Sequence, residues 1–234
     1  MPSGLFSKRI NDAVGLAPSD RELLKALRVT ERLLENREPL RRTGDAAIQC
    51  AIVHEGFLAS YKSTFEREQI LAFHVPGDFL DLQTLYLPVL DHTIISIGSS
   101  RVGLIPHSDL KDLIVASPNL AGILWRETII EATALREWLC NVGARDALAS
   151  IAHLICEMAS RLRAVGLVAE DSFHLPLTQQ DIANACGIST VHVNRTLQEL
   201  RKRGLIRWTN RTMTLLDLDE LKCVADFEPN YLHG

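Results

Sequence analysis

The chain changes character at Pro118, and this break constrains its fold more than any other feature of the sequence. Before it, from about Leu40 to Leu110, short apolar runs alternate with turn sequences such as Pro76-Gly77-Asp78, which is typical of the short strands of a sandwich or barrel. After it, about fifty residues contain no proline and few glycines, which predicts long helices. The 234 residues are therefore expected to form an α+β protein.

Within the β-rich block, two stretches each predict a pair of short strands. The first stretch breaks at Gly56, and the second, residues 93–106, breaks at the small-residue turn Gly98-Ser99-Ser100. A short helix is expected before the block, with Ser19 or Asp20 as its N-terminal cap.

The first long helix, about residues 119–141, carries a seam of uncharged residues with a period of about 3.5 residues, as in a two-stranded coiled coil. The seam consists of Ala121, Trp125, Thr128, Ala132, Leu135, Leu139 and Val142. This pattern predicts that the helix pairs with its copy in a second subunit. The alternative is a helix packed on its own domain, which suits the apolar residues on its other faces: Ile123, Ile129, Ile130 and Ala134. A second helix, from Ala144 to about Val165, has an ordinary core-facing stripe.

Residues 177–206 contain the pattern of two short helices joined by a tight turn. Thr178 is a candidate N-terminal cap with Asp181 three residues later, and the apolar stripe of this first helix stops at Gly187. Ser189 can cap the second helix, whose inward side is expected to be formed by Val193, Leu197 and Leu200. The segment therefore predicts a helix-turn-helix.

In such a motif the second helix enters the major groove of DNA. Its exposed residues are expected to be Thr190, Val191, His192, Asn194, Arg195 and Gln198. Arg195 can donate two N–H groups to a guanine, or instead pair with Glu199 one turn later. Thr190 and Val191 offer methyl groups to thymine. The expected phosphate contacts are Thr178, Gln179, Gln180, Ser189 and His192.

The net charge of −4 hides a basic segment. Residues 178–211 hold six arginine and lysine side chains against Asp181 and Glu199, so positive charge is concentrated where DNA contact is predicted. Lys202 and Arg203 also suit a solvated helix end beside the carbonyl pole.

The sequence after Gly204 predicts a strand, a turn at Thr209-Asn210 and a second strand. A β-hairpin directly after a recognition helix is the wing of a winged helix. Asn210 and Arg211, at its tip, are expected to contact the DNA backbone. One more helix is expected in the C-terminal tail.

Composition disfavours several classes of protein. No apolar run reaches about eighteen residues and the start lacks a signal-peptide core, so we expect a cytoplasmic protein with no membrane partner. The five cysteines form no CxxC pair, so neither a disulfide framework nor a metal site is predicted. No nucleophile and base stand at a distinctive spacing, and we therefore do not expect an enzyme.

The β-rich block, the seam helix and the motif ending in residues 189–206 together resemble the Crp/Fnr family of bacterial transcription regulators. The resemblance extends from about Leu23 to Leu216 and is most specific in residues 178–206 and in three jelly-roll turns: RRTGD (41–45), HEGFLASYK (54–62) and FHVPGDFLDL (73–82). It implies a cyclic-nucleotide-binding-like jelly-roll sensory domain with an N-terminal helix in residues 1–118, a dimerisation helix in residues 119–142 and a winged helix-turn-helix in residues 143–234.

The resemblance also implies a cytoplasmic homodimer that binds a palindromic operator in double-stranded DNA and has RNA polymerase as a further partner. Family members usually place an arginine and a glutamate on the recognition helix and bind half-sites containing TGT or TGA. Arg195 matches the arginine, whereas Val191 stands in place of the glutamate. The half-site is therefore expected to differ at the base that the glutamate would contact.

The sensory part departs from the family's cyclic-nucleotide pattern. Asp81-Leu82 stands where a Gly-Glu pair would hold the ribose, and Asp91-His92-Thr93 stands where an Arg-Ser pair would neutralise the phosphate. The long helix has Leu135-Arg136 where small hydroxyl residues would meet the base. An aspartate at the phosphate position repels the anion, so cAMP is not expected to bind in the usual mode. No cofactor is predicted.

Other sensory modes receive little support from the sequence. No cysteine precedes Cys50, so the clustered ligands of an iron–sulfur sensor are absent from the start of the chain. Haem sensing stays open, with Pro2, His54, His74 and His92 as candidate ligands. Cys186, beside the expected DNA face, is either a redox switch or a buried packing thiol.

A second function, from a different class, also fits the sequence. The chain would then be a small-molecule-binding regulatory module whose helix-turn-helix serves protein contacts. That function predicts no salt-dependent affinity for DNA.

Overall fold

The computed structural model describes residues 15–65, 67–87 and 89–232. The described residues form two compact units: one contains those up to Lys62 together with those in Phe73–Ala132, and the other contains those in Ser63–Ala72 and those from Thr133 onwards.

The N-terminal half of the described chain forms a six-stranded antiparallel jelly-roll sheet, in agreement with the predicted fold class. The strand order is β1-β6-β3-β4, with β2 paired to β6 and β5 paired to β3. The strands are β1 (Thr30–Leu34), β2 (Pro39–Arg41), β3 (Gln49–Ser63), β4 (Glu68–His74), β5 (Phe79–Leu80) and β6 (Thr93–Pro106). Apolar side chains such as Val53, Leu58 and Val102 fill the core between the strands, each less than 1 % exposed.

β3 and β6 are each continuous, so the prediction of a strand break at Gly56 and at Gly98-Ser99-Ser100 is wrong. At Gly56 the register between the two strands shifts, and its φ of +81° lies in the left-handed region. A Cβ at this position would stand only 2.4 Å from the carbonyl oxygen of Ser99. Glycine here marks a β-bulge and a close approach between strands rather than a turn.

Seven α-helices are present in the described residues. They are α1 (Pro18–Ala26), α2 (His107–Ala116), α3 (Pro118–Gly143), α4 (Ala147–Ala164), α5 (Gln179–Cys186), α6 (Thr190–Lys202) and α7 (Leu218–Ala225). None of these described helices has both the length and the apolar character needed to cross a membrane.

The prediction that Ser19 or Asp20 caps the first helix is wrong. α1 begins at Pro18, and Ala17 at the cap position makes no side-chain hydrogen bond. Asp20 is buried and accepts hydrogen bonds from the Ser117 hydroxyl at 2.7 Å and the Asn119 amide at 2.6 Å. These bonds lower the pKa of Asp20, and they tie α1 to the junction between α2 and α3.

α3 exposes the large apolar members of its seam. Leu139 is 74 % exposed, Trp125 66 %, and Leu135 and Val142 44 % each. Of the residues that suit packing on the helix's own domain, Ile123 is buried but Ile129 is 43 % exposed. The seam is therefore available for a partner, as a dimerisation helix requires.

Candidate DNA-binding site

The second unit is organised around α4, which is buried at every residue from Ser150 to Ala159. The short helices α5 and α6 and the helix α7 pack against it. A three-stranded antiparallel sheet completes the unit, in the order β7 (Ser172–His174), β9 (Thr212–Leu215) and β8 (Ile206–Thr209). β8 and β9 are the strands predicted from the sequence, whereas β7 was not predicted.

A reciprocal capping box starts α5. The Thr178 hydroxyl accepts from the Asp181 N–H at 3.1 Å, and the Asp181 carboxylate accepts from the Thr178 N–H and hydroxyl, both at 2.7 Å. At the other end, Gly187 has a φ of +69° and donates its N–H to the Ala183 carbonyl. This turn leads into α6, so the chain folds as the predicted helix-turn-helix.

Replacing Thr178 with alanine is expected to lower the free energy of unfolding of the second unit by about 1 kcal/mol, because the Asp181 N–H loses its acceptor. The measurement is the urea midpoint of that unit's unfolding transition. Gln180→Ala, an exposed change in the same turn, is the control and should alter the free energy by less than about 0.5 kcal/mol. Equal effects of the two changes would show that the capping box adds no stability.

α6 buries one side and presents the other. Ser189 caps it by accepting from the His192 N–H at 3.2 Å. The inward residues are Val193, Thr196, Leu197 and Leu200. The outward residues are Val191, at 79 % exposure, with His192, Asn194, Arg195 and Gln198, whereas Thr190 is half-buried. The outward face is the one expected to contact bases.

Polar side chains on this face are connected to one another. Arg195 Nη2 donates to His192 Nε2 at 2.5 Å. Asn194 donates to Gln179 of α5 at 3.4 Å and accepts from Gln198 at 3.0 Å. These bonds hold side chains of both helices together at one surface.

Arg195 does not pair with Glu199, so that alternative is wrong. Glu199 binds Arg203 at 2.8 Å, and this bond lowers the pKa of the carboxyl. Within the described residues Arg195 has no carboxylate partner, and its charge faces outward. Arg203, by contrast, is engaged at the end of the helix, in line with its interpretation as a helix-terminal residue.

The wing is a tight hairpin whose turn is one residue later than predicted. Thr209 pairs with Thr212, and Asn210 and Arg211 form the turn with φ values of 50° and 60°. Two left-handed residues make a type I′ turn, which matches the twist of the strands. The Leu175 N–H binds the Arg211 carbonyl at 2.7 Å and anchors the tip, while both tip side chains are exposed.

The structure brings most of the predicted DNA contacts to the ends of neighbouring elements. Gln179 and Gln180 lie in the first turn of α5, and Ser189 and Thr190 lie at the start of α6. Thr178 also lies there, but its hydroxyl is bonded within the capping box. Its expected role in binding phosphate is therefore weaker than that of its neighbours.

Cys186 is a buried thiol at the end of α5. It is only 3 % exposed, and burial raises the pKa of its thiol to about 11. Oxidation proceeds through the thiolate and requires access to solvent. The structure favours the packing role over the redox switch.

The residues of the first unit do not fit a cyclic nucleotide at the expected position. Asp91 binds Lys62 at 2.7 Å and His92 at 2.8 Å, and these bonds lower the pKa of its carboxyl to about 2. It is thus ionised where a cation would be needed for the phosphate. Asp81, the other departure, is 3 % exposed, and burial raises its pKa to about 6.

The candidate haem ligands lie in ordinary structural environments. His74 is buried, with its Nε2 2.7 Å from the Ser60 hydroxyl, and His92 contacts Asp91. Burial lowers the pKa of His54. Pro2 lies outside the described residues. In the ranges that the structure describes, no three His, Cys, Asp or Glu side chains are grouped as metal ligands.

α4 carries a polar cluster that was not predicted from the sequence. His153, Glu157 and Arg161 follow one another at four-residue intervals and lie beside the apolar stripe. His153 and Glu157 are 0 % and 1 % exposed, although such residues ordinarily face solvent on a surface helix. The regular spacing was the available signal.

Comparisons with known proteins agree with both units. Residues 31–117 match the model of the cyclic nucleotide-binding domain, and residues 149–224 match that of the Crp-like helix-turn-helix domain. A relative from Rhizobium leguminosarum bv. viciae, named a probable transcriptional activator, is 30 % identical over 207 residues, which cover 80 % of this chain and 82 % of that protein. The transcriptional activator protein anr of Pseudomonas aeruginosa is 25 % identical over 213 residues, covering 91 % and 87 %.

Among solved structures, FixK2 from Bradyrhizobium japonicum superimposes with a TM-score of 0.77 at 25 % identity, covering 85 % of this chain and 98 % of that one. A CooA variant from Carboxydothermus hydrogenoformans shares the fold with a TM-score of 0.67 at 17 % identity, covering 93 % of this chain and 94 % of that one. The two family models match the jelly roll and the helix-turn-helix. The chain belongs to the Crp/Fnr family of transcription regulators.

Proposed function

We propose that this protein is a cytoplasmic homodimer that binds a palindromic promoter site and works with RNA polymerase. The observation that carries the proposal is the outward face of α6. It presents Val191, His192, Asn194 and Arg195 without a free carboxylate, because Asp181 is buried and Glu199 is bound to Arg203. Such a face suits the electronegative major groove.

Base recognition is assigned to the first turns of α6. Arg195 carries an unneutralised guanidinium and can donate two parallel N–H groups to O6 and N7 of a guanine. Thr190 and Val191 offer methyl groups to thymine. Because Val191 lacks a carboxylate, it cannot accept a hydrogen bond from the N4 amino group of cytosine, as a glutamate would.

Phosphate contacts are assigned to the helix N-termini and the wing. Gln179, Gln180, Ser189 and His192 lie near the starts of α5 and α6, where backbone N–H groups favour anions. Asn210 and Arg211 lie at the exposed wing tip, which the Leu175 bond fixes. These contacts position the protein on DNA without selecting a sequence.

The dimer is assigned to α3. Four large apolar side chains of its seam are exposed at coiled-coil spacing, and burying them against a second copy is favourable. Two recognition helices related by a twofold axis require a palindromic operator with half-sites about one helical turn apart.

Replacing Arg195 with alanine tests the assignment of base contacts. An operator is first selected from random DNA by the wild-type protein, and affinity is then measured by fluorescence anisotropy. We expect a loss of about 1–3 kcal/mol per half-site, together with loss of preference at one base-pair position.

Arg211→Ala is the matched control, since it removes the same charge at the wing tip. It should weaken binding to all sequences alike and reduce the slope of log K against log salt by about 1 per phosphate contact. If the Arg195 variant kept both affinity and base preference, Arg195 would not be a base-contacting residue.

The alternative function, a module that acts only through protein contacts, has no observation in its favour. The helix-turn-helix is complete, capped at both helices and flanked by a wing. A steep fall of operator affinity with salt would eliminate the alternative, and undetectable DNA binding at low salt would favour it.

A further inference from the structure

Glu157 lies at the centre of a buried cluster in the second unit. It is 1 % exposed, yet its carboxylate accepts from Trp138 Nε1 of α3 at 3.0 Å and from the Tyr231 hydroxyl at 2.7 Å. Its other oxygen accepts from Arg161 Nη1 at 3.1 Å. One side chain of α4 therefore connects α3 to the C-terminal segment.

Tyr231 anchors the C-terminal segment through both its backbone and its side chain. The Tyr231 carbonyl accepts from the Thr133 hydroxyl of α3 at 2.8 Å. The Tyr231 ring stacks on buried His153 of α4, with a centroid separation of 5.9 Å and an interplanar angle of 15°. Phe227 packs edge-on against the same imidazole at 5.3 Å. The segment thus bridges α3 and α4 by its backbone and its side chain.

A turn at the end of α7 directs the chain towards this bridge. Asp226 adopts a left-handed conformation, with φ of 48°, and turns the chain back towards α4. Its carbonyl accepts from Arg145 at 3.2 Å, and Arg145 also binds Glu137 of α3 at 2.6 Å. Arg145 therefore forms a second bridge at the corner, the point where the chain turns from α3 into α4.

This corner has a geometric consequence for DNA binding. The last part of α3 carries the seam residues Leu135, Leu139 and Val142, and the recognition helix α6 packs on α4. All of these residues belong to one compact unit. The angle between α3 and α4 therefore sets the distance from the dimer seam to the recognition helix.

We propose that Tyr231 is a positioning residue that fixes the operator half-site spacing by locking the corner between α3 and α4. The proposal rests on the proposed function, because it presupposes a dimer that binds two half-sites. Changing the spacing by one base pair displaces a half-site by about 3.4 Å and rotates it by about 35°. A rigid corner rejects such a change, whereas a loosened corner tolerates it.

The test uses the full-length protein with Tyr231→Phe, which deletes only the hydroxyl bound to Glu157, and Thr133→Val, which deletes the bond to the Tyr231 carbonyl. Affinity is measured on three DNAs: the selected operator, operators with spacing changed by one base pair, and an isolated half-site. The exposed Asn230→Ala in the same segment is the control.

We expect both variants to lower the ratio of affinities for correct over altered spacing by at least about fivefold, the size of a modest coupling between sites. Half-site affinity should stay within about twofold of wild type, and the control should match wild type throughout. Unchanged spacing ratios would overturn the proposal, as would a parallel loss on all three DNAs. Failure of the wild type to bind any selected DNA would instead overturn the proposed function.

Discussion

Replacing Leu139 with glutamate is expected to convert the dimer to a monomer and to reduce affinity for the full operator by at least about 100-fold. Leu139 is the most exposed large member of the α3 seam, at 74 %. In a symmetric dimer the substitution is present in both copies of α3, so each helix loses apolar burial worth about 1.5–3 kcal/mol. Each carboxylate would also have to be desolvated at the interface.

Analytical ultracentrifugation measures the dimer, and anisotropy measures operator and half-site affinity side by side. Half-site affinity should be unchanged, because the recognition helix is untouched. Cys140→Glu adds the same charge at the next exposed position, off the seam, and should leave the dimer intact. A dimeric Leu139→Glu protein would show that α3 does not form the interface.

Replacing Gly56 with alanine is expected to lower the free energy of unfolding of the first unit by about 2–4 kcal/mol. The added Cβ would meet the Ser99 carbonyl oxygen at 2.4 Å and the Ser100 backbone at 2.7 Å, so β3 and β6 must separate. The left-handed φ adds a further cost of about 1 kcal/mol.

The Gly44→Ala variant separates the cost of the steric overlap from the cost of the left-handed conformation. Gly44 has a φ of +89°, but its added Cβ would meet no atom within 4 Å. We expect Gly44→Ala to lower the free energy of unfolding by about 1 kcal/mol, which is the conformational cost alone. Urea titrations of both variants measure this difference. If Gly56→Ala were no more destabilising than Gly44→Ala, the close approach of the strands would not contribute.

The helix-turn-helix could be predicted from the sequence because its signals are local. The inward spacing of Val193, Leu197 and Leu200 determines which side of α6 faces out, and Thr178 and Ser189 mark the helix starts. No distant residue is needed to establish this pattern. The outward face of α6 could therefore be predicted from the sequence alone.

The position of the wing turn and the bulge at Gly56 were harder to predict, because each depends on residues that are distant in the sequence. Arg211 adopts a left-handed conformation that arginine seldom favours, and the Leu175 N–H helps to hold it there. Gly56 is a bulge because Ser99 on another strand lies against it. Neither partner adjoins its target in sequence.

The corner between α3 and α4 could not be predicted, because the burial of α4 depends on every element around it. A glutamate on a helix ordinarily faces solvent. Trp138 and Tyr231, nineteen and seventy-four positions away from Glu157, supply its hydrogen bonds. Only the folded unit shows that these groups share a buried carboxylate.

The pairing of β1 with β6 has a consequence for how the protein acquires its structure. Thr30 pairs with Leu104, and β2 pairs with the same late strand, so the jelly roll stays incomplete until β6 has been made. Within the second unit, the helix-turn-helix and the wing are instead formed by elements that are neighbours in sequence, α5 with α6 and β8 with β9. Since folding slows as contacts become more distant in sequence, the helix-turn-helix and the wing should form before the jelly roll on refolding. The jelly roll then sets the overall rate at which active regulator forms.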